Sequence, residues 1–115
     1  MSHYLTQVSY TSDAWSALVK NPVNRMDQIR PAVEKLGGKI VSGFMAFGDY
    51  DLVLITEMPT NADAAAIAIA AAAGGSVRAI KTTPLLTSAE AMEALKKAQG
   101  SGYRAVGSGL SLIHI

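Results

Sequence analysis

Two runs of mostly apolar residues, 39–47 and 51–58, lie near the middle of the chain and are separated by Gly48 and Asp49. Apolar runs joined by two residues, of which the first is glycine, are typical of a β-hairpin. Glycine accepts the positive φ that a type II′ turn requires at its first central position. The pattern therefore predicts two antiparallel strands closed by a tight turn.

This turn also predicts which residues face each other, and opposed residues share one face of the sheet. The predicted pairs are Phe47 with Tyr50, Met45 with Leu52, Phe44 with Val53, Gly43 with Leu54, and Ser42 with Ile55. One face would carry Val41, Met45, Phe47, Tyr50, Leu52, Leu54 and Met58, and the other Ile40, Phe44, Val53 and Ile55 with Asp51 and Glu57. Both faces are largely apolar, whereas a sheet with one solvated face alternates. The hairpin is therefore expected to be covered on both sides.

The remaining pattern predicts two further strands and four helices. The expected order is a strand over 3–10, a short helix ending at 21–22, an amphipathic helix over 23–36, the hairpin, an alanine-rich helix over 60–73, a strand over 76–86 and a helix over 87–99. Pro31 lies inside the second helix, so a kink or break is expected near Arg30. The alanine-rich helix has no polar side chain over 64–73, which predicts burial against a neighbouring helix or subunit.

This order predicts an α+β fold, the ferredoxin-like split βαβ sandwich. A four-stranded antiparallel sheet would carry helices on one face, followed by a C-terminal helix and an extended tail. One layer of helices leaves the other face bare. A second copy of the sheet is its natural cover, so a face-to-face homodimer of the dimeric α/β-barrel type is expected. Leu54 is expected at that interface, or Val53 if the register is shifted by one residue.

The chain of 115 residues is expected to form one domain over 1–99, followed by a tail over 100–115 that is rich in glycine and serine. The apolar end of the tail, 110–115, is predicted to add a strand to a sheet edge or to pack on a neighbouring subunit. That contact would extend the oligomer beyond a dimer. A non-native extension is the alternative interpretation of the tail.

The composition of the chain limits the classes of partner and of chemistry that are expected. A net charge of +1, with scattered Lys and Arg, favours neither nucleic acid nor an anionic membrane as a partner. The chain has no cysteine, which excludes disulfides and thiol chemistry. The first ten residues do not have the pattern of a signal peptide, so a cytoplasmic location is expected. The most apolar window, 64–73, is too short to span a bilayer.

Candidate chemistry is sparse. His3 and His114 stand at opposite ends of the chain, so no metal or heme site is expected, and no cofactor is assigned. No Ser-His-Asp set or phosphate-binding glycine loop is present. Asp51 and Glu57 are six residues apart, about 20 Å along an extended strand, which is too far for an acid/base pair.

Several short motifs together are similar to one family. They are Tyr4-Leu5, Tyr10-Thr11, Pro22, Arg25, Leu36-Gly37-Gly38-Lys39, Phe47-Gly48-Asp49-Tyr50-Asp51, Glu57 with Pro59, the alanine-rich helix and Val77-Arg78. Over residues 1–95 the chain resembles the GYD-domain family. The resemblance implies a bacterial or archaeal protein of the dimeric α/β-barrel group, which includes heme-handling proteins, cofactor-independent monooxygenases and stress-responsive domains. It implies no particular activity. Pro31 and the tail depart from the family pattern.

Six residues are candidates for ligand binding: Tyr10, Trp15, Arg25, Arg30, Tyr50 and Asp51. Asp51 has two interpretations. It either binds backbone donors near the turn or an arginine, or it acts as a base at the mouth of a cleft where the aromatic residues hold a planar substrate. Arg25 and Arg30 flank the apolar stripe of the second helix. Their stems either lie on the edge of the core with the heads in water, or they bind an anionic group.

Two functions remain open. The favoured one is a non-catalytic, homo-oligomeric module that binds a small molecule or regulates a partner. The alternative, which rests on fold analogy, is a cofactor-independent oxygenase or isomerase acting on a small aromatic metabolite. A polar cavity holding Asp51 and an arginine would favour the enzyme, and an interface between helices and sheet filled by side chains would favour the module. The expected partners are a second copy of the chain and a small-molecule ligand.

Overall fold

The computed structural model describes residues 1–107, which form two compact units, 1–85 and the part from Leu86 onward. The first unit contains β1 (Ser2–Tyr10), α1 (Ser12–Lys20), α2 (Arg25–Lys35), β2 (Lys39–Met45), β3 (Leu52–Met58), α3 (Asn61–Ala73) and β4 (Val77–Leu85). The second unit contains α4 (Ser88–Gln99). The predicted docking strand over 110–115 lies outside the described residues, and the boundary at residue 99 stays a prediction.

The four strands form one sheet in the order β2-β3-β1-β4, and every neighbouring pair is antiparallel. This order, with helices after β1 and β3, is the ferredoxin-like arrangement, and the predicted fold class is confirmed. The predicted hairpin register is also confirmed for four pairs. They are Met45 with Leu52, Phe44 with Val53, Gly43 with Leu54, and Ser42 with Ile55.

The turn of the hairpin differs from the prediction of a tight two-residue connection. β2 ends at Met45, and one further hydrogen bond, from Ala46 N–H to the Asp51 carbonyl oxygen at 2.8 Å, closes a four-residue loop over 47–50. Gly48 has a φ of 159°, far from the value of about +60° in a type II′ turn. The type II′ prediction is therefore wrong. The end of β1 binds the backbone of this loop, and that tertiary contact overrides the local turn preference.

A β-bulge at Val41 changes the predicted faces of β2. Ile40 pairs with Thr56 whereas Ser42 pairs with Ile55, so one extra residue is inserted between them. Ile40 consequently lies on the helix side, where it packs against a buried cluster formed by Tyr4, Val33, Met58 and Ala64. Its predicted position on the opposite face is wrong.

The two sides of the sheet differ in burial. Alternate residues of the two central strands are buried under the helices: Tyr4, Thr6, Val8 and Tyr10 of β1, and Leu52, Leu54, Thr56 and Met58 of β3. On the opposite side Leu5, Val53 and Ile55 are half-buried, and Phe44 is 69% exposed. Leu54 therefore belongs to the core beneath the helices. It is Val53 that occupies the side where a second sheet was expected.

The helix α2 continues through Pro31, so the predicted break near Arg30 is wrong, whereas the alternative of a kink there stays a prediction. Its start is capped by the Asn24 side chain, which accepts a hydrogen bond from Met26 N–H at 2.9 Å. Val33 is buried and Ile29 is half-buried against both core clusters. Packing of this apolar stripe stabilises a helix that Pro31 alone would weaken.

The alanine-rich helix α3 begins after Thr60, whose side chain accepts from Asp63 N–H at 3.2 Å. Ala64 is buried and Ile67 packs against the core, whereas Ile69 is 67% exposed. Within residues 1–107 this helix is thus buried on one side, along β3 and β4. Burial of the other side by a subunit stays a prediction.

Candidate functional site

The loop that follows β2 is bound to the C-terminal end of β1 by three hydrogen bonds. Ser9 donates from Oγ to the Asp49 carbonyl oxygen at 2.7 Å, and Asp51 N–H donates to the Val8 carbonyl oxygen at 2.7 Å. Tyr10 N–H donates to Asp51 Oδ2 at 2.8 Å. The Asp51 carboxylate therefore binds a backbone donor at the point where β1 ends. This contact matches the structural interpretation of Asp51, with Tyr10 N–H rather than an arginine as its partner.

Tyr10, held at that point by Asp51, forms the centre of an aromatic and cationic cluster. Its side chain is 4% exposed, and its ring meets Trp15 of α1 edge to face, with 5.6 Å between ring centroids. The guanidinium carbon of Arg25 lies 5.8 Å from the Tyr10 ring centroid. Arg25 also donates from Nε to the Tyr10 hydroxyl at 3.3 Å, and from Nη1 to Gln28 Oε1. Side chains from β1, α1 and α2 thus meet in one cluster.

Arg25 is the first residue of α2, and the packing of the next residue sets its position. Met26 lies over Gly43 of β2, where a Cβ atom would stand 2.5 Å from the Met26 sulfur and 2.8 Å from Leu54 Cδ2. A side chain at Gly43 would displace Met26, so glycine permits the close approach of α2 to the sheet. This approach places Arg25 beside Tyr10.

Three clefts meet at Arg25. The outer cleft, about 460 Å³, lies between α1, α2 and β2, and the side cleft, about 300 Å³, lies beside Tyr10 at the end of α1. The inner cavity, about 250 Å³, lies between the sheet and the helices α2 and α3. Arg25 lines all three and Tyr10 lines two. Among the residues that line them, Arg25 alone carries a charge.

The inner cavity has an apolar lining with a small polar corner. The polar groups are Tyr10, Arg25 and Gln28. The apolar lining consists of Val8, Ile29, Ala32, Leu52, Leu54, Ile67, Ala70, Ala71, Val77 and Ile80. Apolar walls with a few convergent polar groups are typical of small-molecule sites. The helix-sheet interface is therefore not filled by side chains, as expected for the module. Nor does the cavity contain Asp51 together with an arginine, as expected for the enzyme, because it is lined by Arg25 but not by Asp51.

The structure brings together three of the six predicted candidates: Tyr10, Trp15 and Arg25. Arg30 is exposed on α2, Tyr50 is half-buried in the loop, and neither lines one of the three clefts. Asp51 lines none of them either. Gln28 lines the inner cavity but was not among the candidates predicted from the sequence, although its spacing of three residues from Arg25 places both on one side of a helix.

A second polar cluster lies on the sheet side that faces away from α1, α2 and α3. Glu57 of β3 accepts from two neighbouring strands, with His3 Nε2 at 3.0 Å from Oε1 and Lys39 Nζ at 3.5 Å from Oε2. Lys39 and His3 thus compensate the negative charge of Glu57. Within residues 1–107 no group of three or more acidic or histidine side chains has an arrangement suited to a metal ion.

Sheet order, helix placement and the arginine-bearing cavity define an α+β domain of ferredoxin-like topology with a ligand-sized space between sheet and helices. The chain belongs to the GYD-domain family, whose model, described as GYD domain, matches residues 4–95. Comparison with curated proteins gave no match, and comparison with solved structures gave none either. Over residues 1–107 the helices are too short or too polar to cross a membrane.

Proposed function

We propose that the chain is a non-catalytic, homo-oligomeric module of the GYD family that binds a small molecule, and that this binding serves a regulatory role. The observation that carries the proposal is that Asp51 has a structural contact whereas Arg25 lines the clefts. The Asp51 carboxylate binds Tyr10 N–H and lines none of the three clefts. Arg25 lines all three, and the apolar inner cavity is well suited to binding.

The size and lining of the inner cavity support a binding role. An engineered apolar cavity of about 150 Å³ binds benzene. The inner cavity is larger, about 250 Å³, and partly open to solvent, so its volume is sufficient for a ring with a short substituent. Burial of apolar ligand surface supplies about 25 cal/mol per Å², and the few polar groups orient the ligand.

The side of the sheet that faces away from α1, α2 and α3 is the open side, and it supports the oligomeric part of the proposal. Leu5, Val53 and Ile55 lie on it half-buried, beside the exposed Phe44. Contiguous apolar side chains on a sheet face are typical of a protein interface. A second copy of the same sheet presents the same surface, and two-fold pairing is the commonest way to cover it.

The binding proposal is tested by filling the inner cavity. Isothermal titration calorimetry of the full chain with phenylacetate and phenylacetamide, each up to millimolar concentration, should detect binding of at least one. Ala71→Leu extends into the cavity and should abolish that binding. Ala72→Leu is the matched control, because Ala72 is the next residue of α3 and is exposed.

Binding that survives in Ala71→Leu, or no binding by the parent protein, would refute the proposed site. A different outcome would support the enzymatic alternative. If the parent converts an aromatic compound and Asp51→Asn stops conversion without reducing binding, Asp51 acts as a catalytic base. Mass spectrometry of the reaction mixture distinguishes conversion from binding.

A further inference from the structure

Arg25 is a half-buried cation without an acidic partner. In the part of the chain that the structure describes, residues 1–107, the ion pairs made by lysine or arginine are Lys39 with Glu57 and Lys97 with Glu93, and neither involves Arg25. A charge that loses part of its hydration is costly unless a counter-charge or hydrogen bonds compensate. Neutral oxygens of Tyr10 and Gln28 compensate Arg25 in part.

From this we infer that Arg25 recognises a carboxylate, and that the ligand is a small monocarboxylate with a compact apolar or aromatic body in the inner cavity. The inference rests on the proposed binding function and adds the chemical class of the ligand. Guanidinium carries five N–H donors. Tyr10 takes the Nε donor and Gln28 takes one donor of Nη1. Three donors thus remain for a ligand, one on Nη1 and two on Nη2, and arginine binds a carboxylate through two parallel hydrogen bonds that come from two different nitrogens.

The guanidinium group is oriented before any ligand binds. The Tyr10 ring lies beside it, the Tyr10 hydroxyl accepts from Nε, and Gln28 Oε1 accepts from Nη1. Tyr10 is itself fixed by the Asp51 carboxylate at its backbone N–H. A long side chain normally loses rotamer entropy on binding, so prior orientation reduces the cost of forming the ion pair.

The rest of the lining restricts the ligand body. Apart from Tyr10, Arg25 and Gln28, the inner cavity is lined by aliphatic side chains. A sugar or nucleotide would leave hydroxyl groups unpaired against these walls, which is costly. One cation matches one anionic group. The lining therefore selects a molecule that is apolar except at one end.

Two isosteric probes test the inference, phenylacetate and its neutral amide, phenylacetamide. Calorimetry of the full chain should show phenylacetate binding about 10- to 100-fold more tightly, the range expected for a charge-assisted hydrogen-bonded pair. Arg25→Gln should reduce phenylacetate affinity to that of the amide and leave the amide affinity nearly unchanged. Arg30→Gln, an exposed arginine of the same helix, should retain the preference.

The outcomes distinguish this inference from the function on which it rests. If the parent binds acid and amide equally, the carboxylate inference falls and the binding module stands. If the parent binds neither, both fall. If Arg25→Gln melts at the parent temperature and still prefers phenylacetate, another group recognises the anion. If Arg25→Gln does not fold, Arg25→Lys and the comparison of acid with amide on the parent protein decide the question.

Discussion

The two sides of the sheet are made of alternate residues of the same strands, yet they are buried differently and carry different chemistry. On the helix side Leu52 and Leu54 are buried, and the polar corner of the cavity contains an oriented arginine. On the opposite side Val53 is half-buried, and Glu57 forms an ion pair with Lys39 and contacts His3. One side is thus buried by the chain's own helices, whereas the apolar side chains of the other stay half-buried or exposed.

A charge in the helix-side core should have the largest effect on stability. Leu54 is 4% exposed and contacts the inner cavity. Leu54→Lys loses the packing of a buried leucine and buries an unpaired ammonium group, so it should lower the free energy of unfolding by about 3 to 5 kcal/mol or prevent folding. Circular dichroism during thermal unfolding measures the loss.

Val53→Lys is the matched partner of this variant, one residue earlier on the same strand and on the open side. It should leave the monomer folded, because a lysine there can extend into water, and should halve the mass measured by light scattering if the open sides pair in a dimer. A parent protein that is monomeric at micromolar concentration would contradict the dimer. Unfolding by Val53→Lys alone would contradict the assignment of the two sides.

The next largest effect is expected at the end of β1. Asp51→Ala removes the acceptor of Tyr10 N–H and should lower the free energy of unfolding by about 1 to 3 kcal/mol. Asp49→Ala is the control, since Asp49 contributes its backbone carbonyl to Ser9 and should tolerate the change. Chemical denaturation of both variants gives the difference. An Asp51→Ala protein with unaltered stability and no phenylacetate binding would assign Asp51 to the ligand instead.

The Asp51 contact also illustrates which features the sequence could predict. The position of the turn predicted four hairpin pairs and the order of the elements predicted the fold, because both are local properties of the chain. The loop conformation was not predictable, since Asp49 and Asp51 bind Ser9 and Tyr10, which lie about 40 residues earlier in the chain. Local turn preferences do not include such partners.

The position of Arg25 depended on packing in the same way. The spacing of α2 placed Arg25 at the margin of the apolar stripe, but its meeting with Tyr10 follows from the close approach of Met26 to Gly43. The bulge at Val41 moved Ile40 to the helix side for a similar reason, because Ile40 fills space in the cluster around Met58. Side-chain volumes in three dimensions decided both points.

The smallest effect is expected at the charged cluster of the open side. Glu57→Gln removes the counter-charge of Lys39, whose Nζ lies 3.5 Å from the carboxylate, and the charged acceptor that lies 3.0 Å from His3 Nε2. Exposed ion pairs contribute about 0 to 1 kcal/mol and are weakened by salt, so thermal unfolding at low salt should show a small loss that disappears at high salt.

Asp51 and Glu57 lie at the two ends of β3 and carry the same functional group. Their variants therefore compare a carboxylate bound to a backbone donor with one bound to side chains. A loss of stability in Glu57→Gln that equals that of Asp51→Ala and persists at high salt would show that the open side is covered, as a dimer interface requires.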